Sequence, residues 1–97
     1  MSVVSEPLPT DRAALIKRIK DVAFRPTRFR RGYDEKDVDD FLDALIASLE
    51  NSSTPFRFTP AQIREREFRQ VSFKGGYEIE QVDDFRGLIA EAIQHVH

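Results

Sequence analysis

Two pairs of adjacent carboxylates, Asp39-Asp40 and Asp83-Asp84, are the first residues to weigh for chemistry, because neighbouring acids can hold a hard cation. Both pairs sit in the same four-residue string, Val-Asp-Asp-Phe, at 38–41 and again at 82–85. On a helix, consecutive side chains point about 100° apart, so the two acids of a pair diverge rather than converge on one ion. No further ligand stands at a suitable spacing. Cysteine is absent, which removes thiolate chemistry, disulfides and cysteine-based metal sites. His95 and His97 lie two apart at the end of a helix that should fray, and Tyr33 and Tyr77 read as packing residues under a turn. No Ser-His-Asp set, phosphate loop or paired acid and base can be assembled. The expectation is therefore no enzyme, no catalytic or metal-binding residue and no cofactor.

Charge says more by its placement than by its total of −2. Residues 25–31 (Arg25-Pro26-Thr27-Arg28-Phe29-Arg30-Arg31) carry four arginines and no acid, while residues 34–43 carry six acids and one lysine. A basic side chain near an anionic leaflet contributes about 1 kcal/mol, and an inserted aromatic ring adds apolar burial. Phe29, flanked by Arg28, Arg30 and Arg31, is thus a candidate membrane contact. The opposing reading puts Phe29 in the core and pairs the arginines with Asp37, Asp39 or Asp40. Nucleic acid is not an expected partner, because the acidic residues beside the loop would repel phosphates.

The elements that must position these residues come in two copies. Gly32-Tyr33 leads into an acidic stretch and Val38-Asp39-Asp40-Phe41; at an offset of 44, Gly76-Tyr77 leads into Val82-Asp83-Asp84-Phe85. Ile19, Phe24, Arg25 and Phe29 fall on Ile63, Phe68, Arg69 and Phe73 at the same offset. These matches make ten of the thirty-one positions identical when 19–49 is laid on 63–93 without a gap. The chain reads as an internal duplication. Each copy alone is near the size below which chains rarely fold unaided, so the copies should share a core, within one chain or between two.

Within each copy the periodicity predicts two helices. Thr10 or Asp11 can cap the first, whose apolar face is Leu15, Ile16, Ile19, Val22 and Ala23, and Pro26 ends it. Asp34 can cap the second, with acids in its first turns where the helix dipole favours them, and Asn51 to Pro55 closes it. Thr59-Pro60-Ala61-Gln62 reads as a capping box with proline at the first helical position, and Phe58 with Ile63 fits a hydrophobic staple. A short third helix to about Phe68 and a fourth from near Glu78 complete the set. Gly87 inside the fourth costs roughly 1 kcal/mol relative to alanine. The longer helices carry stripes at spacings of three and four, and their pairing or partner face is Val38, Phe41, Leu42, Leu45 and Leu49 in one, Val82, Phe85, Ile89 and Ile93 in the other. The expected fold is all-α, a tandem repeat of short helix, loop and longer amphipathic helix, the long helices pairing coiled-coil fashion within the chain or in a homodimer. The units are a flexible tail (1–9), a first repeat (10–50), a linker (51–58) and a second repeat (59–97).

A capped short helix, a phenylalanine, a basic loop, then Gly32-Tyr33-Asp34 and Val38-Asp39-Asp40-Phe41-Leu42-Asp43, resembles the N-terminal domain of the DivIVA family of bacterial cell-division and polar-growth scaffolds. The resemblance covers Ile19–Leu49 and Thr59–Ile93. It implies binding to the inner face of the cell membrane by an apolar side chain in the loop before Gly-Tyr, flanked by basic residues. The matching positions are Phe29 with Arg28, Arg30 and Arg31, and Phe73 with Lys74. It also implies partners among cell-division or cell-wall-growth proteins, and a place at septum or pole. Family members continue into long coiled coils, so a chain ending at His97 is expected to be an adaptor rather than a lattice former. Met1 to Pro9 lacks the basic start and apolar run of a signal peptide, and no apolar run is long enough to span a bilayer, so a cytoplasmic location is expected. The alternative functions are a protein-interaction or oligomerisation module that never touches lipid and, behind it, a nucleic-acid-binding helical domain, which short helices and an arginine-rich loop suggest.

Overall fold

Helix starts follow the capping residues. Asp11 accepts a hydrogen bond from the Ala14 N–H at 3.0 Å and opens α1 (Arg12–Asp21). Asp34 accepts from Asp37 N–H at 3.3 Å and opens α2 (Glu35–Glu50). Thr59 and Gln62 exchange both bonds of a capping box, at 3.1 and 3.0 Å, and open α3 (Pro60–Glu65). The fourth helix, α4 (Ile79–Ile93), starts after Glu78 without a side-chain cap. This architecture comes from a computed structural model that describes residues 7–28, 30–51, 58–72 and 75–96.

Between the helices of each repeat lie short strands, which corrects the all-α expectation. β1 (Pro26–Thr27), β2 (Gly32–Asp34), β3 (Gln70–Val71) and β4 (Gly76–Tyr77) form one antiparallel sheet in the order β1-β4-β2-β3. Strands of two or three residues are too short to show the alternation that marks a strand in sequence. Their partners are also remote: Pro26 pairs with Tyr77, Gly32 with Val71 and Tyr33 with Tyr77. Every pairing is between repeats. The chain leaves α1, crosses to lay β1 on the β4 of the other repeat, and returns through β2 to α2. The second repeat does the same in reverse, so the two loops interlock about a pseudo-twofold axis at the Tyr33–Tyr77 pair.

The bonds on the two sides of this axis match at the offset of 44. Asp34 N–H donates to Arg69 C=O at 2.7 Å, and Glu78 N–H to Arg25 C=O at 2.9 Å. Arg69 N–H donates to Asp37 Oδ2 at 2.8 Å, and Arg25 N–H to Gln81 Oε1 at 2.7 Å. Phe24 packs on Tyr77 and Phe85, with ring centroids 5.3 and 5.7 Å away; Phe68 packs on Tyr33 and Phe41 at 5.1 and 5.3 Å. The exchange therefore buries each repeat's aromatic anchor against the other repeat's long helix.

The paired glycines mark where the backbones cross. A Cβ on Gly32 would lie 2.6 Å from Thr27 Oγ1 and 2.7 Å from the Tyr77 carbonyl oxygen, and one on Gly76 2.9 Å from the same hydroxyl. Both glycines serve close approach. The one left-handed glycine among the described residues is Gly75, at φ 88°, just before β4.

The coiled-coil pairing of the long helices is the second correction. Among the described residues the helix packing runs between α1 and α2 and between α3 and α4. The short helix of each repeat packs along its own long helix. Val38, Leu42, Leu45, Leu49, Val82 and Ile89 are buried and Ile93 is half-buried, while Phe41 and Phe85 are buried against Phe68 and Phe24 of the opposite repeat. Leu15, Ile19 and Ile63 complete the interior from the short helices. Leu8, in the segment read as a tail, is also buried.

Candidate functional site

The basic loop divides into paired and unpaired arginines. Arg25 and Arg30 both reach the half-buried Glu78 of the second repeat, at 3.4 and 2.6 Å. Arg28 and Arg31 are exposed, and among the described residues neither has a carboxylate within salt-bridge distance. Phe29, and in the second loop Phe73 and Lys74, lie outside the described residues. Their proposed membrane role thus rests on sequence and on the exposure of the neighbouring arginines.

The carboxylate pairs split. Asp39 accepts from the Tyr77 hydroxyl at 3.0 Å, whereas Asp40 turns outward to Lys36 at 2.9 Å. Asp83 accepts from the Tyr33 hydroxyl at 2.8 Å, and Asp84 is exposed. The first acid of each pair therefore bonds the tyrosine of the other repeat. Burial, then the hydrogen bond and charge of Asp39, push the Tyr77 hydroxyl up to about 12. Burial and Asp83 likewise raise Tyr33, with Arg86 opposing. Among the described residues no group of three or more His, Cys, Asp or Glu side chains could hold a metal ion. His95 is exposed, and His97 lies outside the described residues.

The feature that sequence reasoning missed is a pair of corresponding surfaces, one filled and one open. In the second repeat Arg86 projects from α4 into the angle between α3 and α4. Its guanidinium lies 5.1 Å from the Phe68 ring centroid and 5.8 Å from that of Tyr33, a cation–π contact with both members of this edge-on ring pair. It pairs with Asp83 at 2.8 Å and donates to the carbonyl of Arg66, the C-cap residue that follows α3. Its side chain is only 14% exposed. This is a complete guanidinium site: two aromatic faces, a carboxylate and a helix-terminal carbonyl.

The first repeat has the same furniture and no arginine. At the offset of 44, Phe68 becomes Phe24, Tyr33 becomes Tyr77, Asp83 becomes Asp39 and Arg66 becomes Val22. The α1 and α3 ends superpose in backbone angles, with φ, ψ of −65°, 140° at Val22 and −58°, 124° at Arg66. Arg86 becomes Leu42, whose shorter apolar side chain is buried. An open groove of about 570 Å³ results, lined by Val22, Phe24, Asp39, Leu42, Asp43 and Tyr77 among others. The signal was present in sequence as the departure at one position of the repeat, an arginine in the second apolar stripe where the first has leucine. Without the crossing of the loops, nothing in the sequence ties that position to the tyrosine of the opposite copy.

Comparison with known proteins finds no matching family model, no matching curated relative and no matching solved structure. Among the described residues no helix is long and apolar enough to cross a membrane.

Proposed function

We propose that this chain is a non-enzymatic adaptor that receives an arginine side chain of a partner protein in the groove between α1 and α2. The observation that carries the reading is the seating of Arg86 in the corresponding groove of the second repeat: the protein itself displays the ligand that this geometry accommodates. Charge supports it. Asp39 and Asp43 give the groove two carboxylates, neither with a cation among the described residues within salt-bridge distance, and Lys20, which also lines the groove, is paired with Glu50 at 3.1 Å. An arginine fits better than a lysine, because its planar guanidinium can stack on Phe24 and Tyr77 while its N–H groups serve a carboxylate and a carbonyl at once.

The test is a ¹H–¹⁵N NMR titration with the blocked tripeptide acetyl-Gly-Arg-Gly-amide, against the same peptide with norleucine in place of arginine. Amide shifts at Val22, Phe24, Asp39 and Tyr77 with the arginine peptide alone are expected. Asp39→Asn should weaken binding roughly tenfold or more, since a charge-assisted hydrogen bond contributes about 1.5–3 kcal/mol. Equal response to both peptides, or none, sinks the reading.

A second reading, membrane attachment, is favoured by one observation, the exposed and unpaired Arg28 and Arg31 on the β1–β2 loop. Two such arginines supply about 2 kcal/mol against an anionic leaflet, enough for weak, salt-sensitive binding that Phe29 would strengthen. The two readings are compatible, since loop and groove are different surfaces. The resemblance to the DivIVA family is what suggests a bacterial division or polar-growth setting for such an adaptor at the inner membrane face. Co-sedimentation with anionic vesicles separates the cases: wild type should pellet at low salt and Phe29→Ser should not.

A further inference from the structure

A duplicated fold with two corresponding grooves would ordinarily bind two identical partners, one on each side of its pseudo-twofold axis. The grooves differ at several positions, Val22 against Arg66 and Asp43 against Gly87 among them, and one difference fills the second groove. Arg86 stands where the first repeat has Leu42, and its guanidinium takes every group that makes the groove a recognition site: both ring faces, the carboxylate and the carbonyl. We infer that Arg86 is a built-in competitor that keeps the second groove shut, so that the adaptor accepts one arginine-bearing partner per chain and always on the same side. The inference rests on the function proposed above and adds to it the valency and the sidedness of binding.

The physical case is one of effective concentration. A group tethered beside its site competes at a local concentration on the order of mM, even on a flexible linker. Arg86 is held on a helix, immediately after the Val82–Phe85 string, with its side chain already largely buried. Its own acid neighbour, Asp83, stands one helical turn before it on the same face. A partner's arginine must expel this side chain into water, break its ion pair and strip Arg66 of its donor before any contact forms. In the first groove the Tyr77 hydroxyl lies 3.0 and 3.3 Å from the two oxygens of Asp39, and Lys20 in the lining is turned to Glu50 at 3.1 Å; each carboxylate oxygen of Asp39 keeps a lone pair for a guanidinium, and no tethered cation has to be expelled. The two grooves share the ring pair and the carboxylate, and they differ in whether the ligand comes with the chain.

The experiment exchanges the two residues. With ¹⁵N-labelled full chain and acetyl-Gly-Arg-Gly-amide, wild type should shift only the first set of amides, at Val22, Phe24, Asp39 and Tyr77. Arg86→Leu, which copies the first repeat, should add a second set at Arg66, Phe68, Asp83 and Tyr33, and Arg86→Met serves in its place if the leucine variant loses its dispersed spectrum. Leu42→Arg should erase the first set, and Leu42→Arg with Arg86→Leu should move binding wholly to the second. Wild type shifting both sets, or an opened second groove that stays silent while the first responds, overturns this inference and leaves the proposed function standing. A wild type that ignores the arginine peptide overturns the proposed function, and this inference with it.

Discussion

At the scale of single residues, the two tyrosines carry both architecture and a measurable pH dependence. Each hydroxyl donates across the pseudo-twofold axis, Tyr77 to Asp39 and Tyr33 to Asp83, so each must stay protonated for its bond to exist. The folded chain holds the Tyr77 proton to about 12 and raises Tyr33 as well, through burial first and the adjacent carboxylate second. An unfolded tyrosine releases its proton near pH 10. A folded pKa above the unfolded one means that this share of stability is intact below pH 10 and is lost as pH climbs toward 12. Urea-unfolding midpoints should therefore fall across that window. Tyr77→Phe should start lower at pH 7, because Asp39 loses its donor, and then decline less steeply than wild type. Parallel decline of the two proteins would show that the tyrosine is not the titrating group. The same two residues illustrate what sequence could and could not reveal. That Tyr33 and Tyr77 pack under the start of a helix follows from the Gly-Tyr repeat, but which aspartate each one meets depends on a crossing that no local spacing encodes.

At the scale of elements, helices were legible because their signals are local. Caps at Asp11, Asp34 and Thr59, and stripes at three- and four-residue intervals, involve residues within two turns of each other. The ends were less so: the third helix stops at Glu65, short of the expected Phe68, because Phe68 is drawn away to pack on Tyr33 and Phe41. The strands were illegible for the opposite reason, since two-residue segments acquire strand character only from a partner in the other repeat. One element also carries a correctable weakness. Gly87 lies in the interior of α4, where a Cβ would meet no atom within 4 Å. Gly87→Ala should therefore add about 0.5–1 kcal/mol of stability by restricting the unfolded chain and favouring helix, with no steric penalty. Thermal unfolding checks it, and an unchanged or lower Tm would mean that the backbone at this position needs the freedom glycine gives.

At the scale of the whole molecule, the duplication makes a pseudo-dimer in which each half is completed by the other. The repeat offset of 44 was visible, and with it the need for a shared core; the manner of sharing was not, because the stripes on α2 and α4 advertise a helix pair and are satisfied instead by α1 and α3. What joins the halves is the exchange of loops, with Phe24 seated between Tyr77 and Phe85 and Phe68 between Tyr33 and Phe41. Covalent continuity through the linker should then matter little once the chain has folded. A chain carrying a protease site within residues 52–57, cleaved there after folding, is expected to elute from gel filtration at the volume of the intact protein. Its two fragments should part only in denaturant and recombine on dilution. The unfolding midpoint of the cleaved form should also rise with protein concentration, as the intact chain's does not, because association has become bimolecular. Fragments that separate in native buffer would show that the crossing strands and the aromatic anchors Phe24 and Phe68 contribute less than the tether does, and that the repeats adhere through their connection rather than through their exchange.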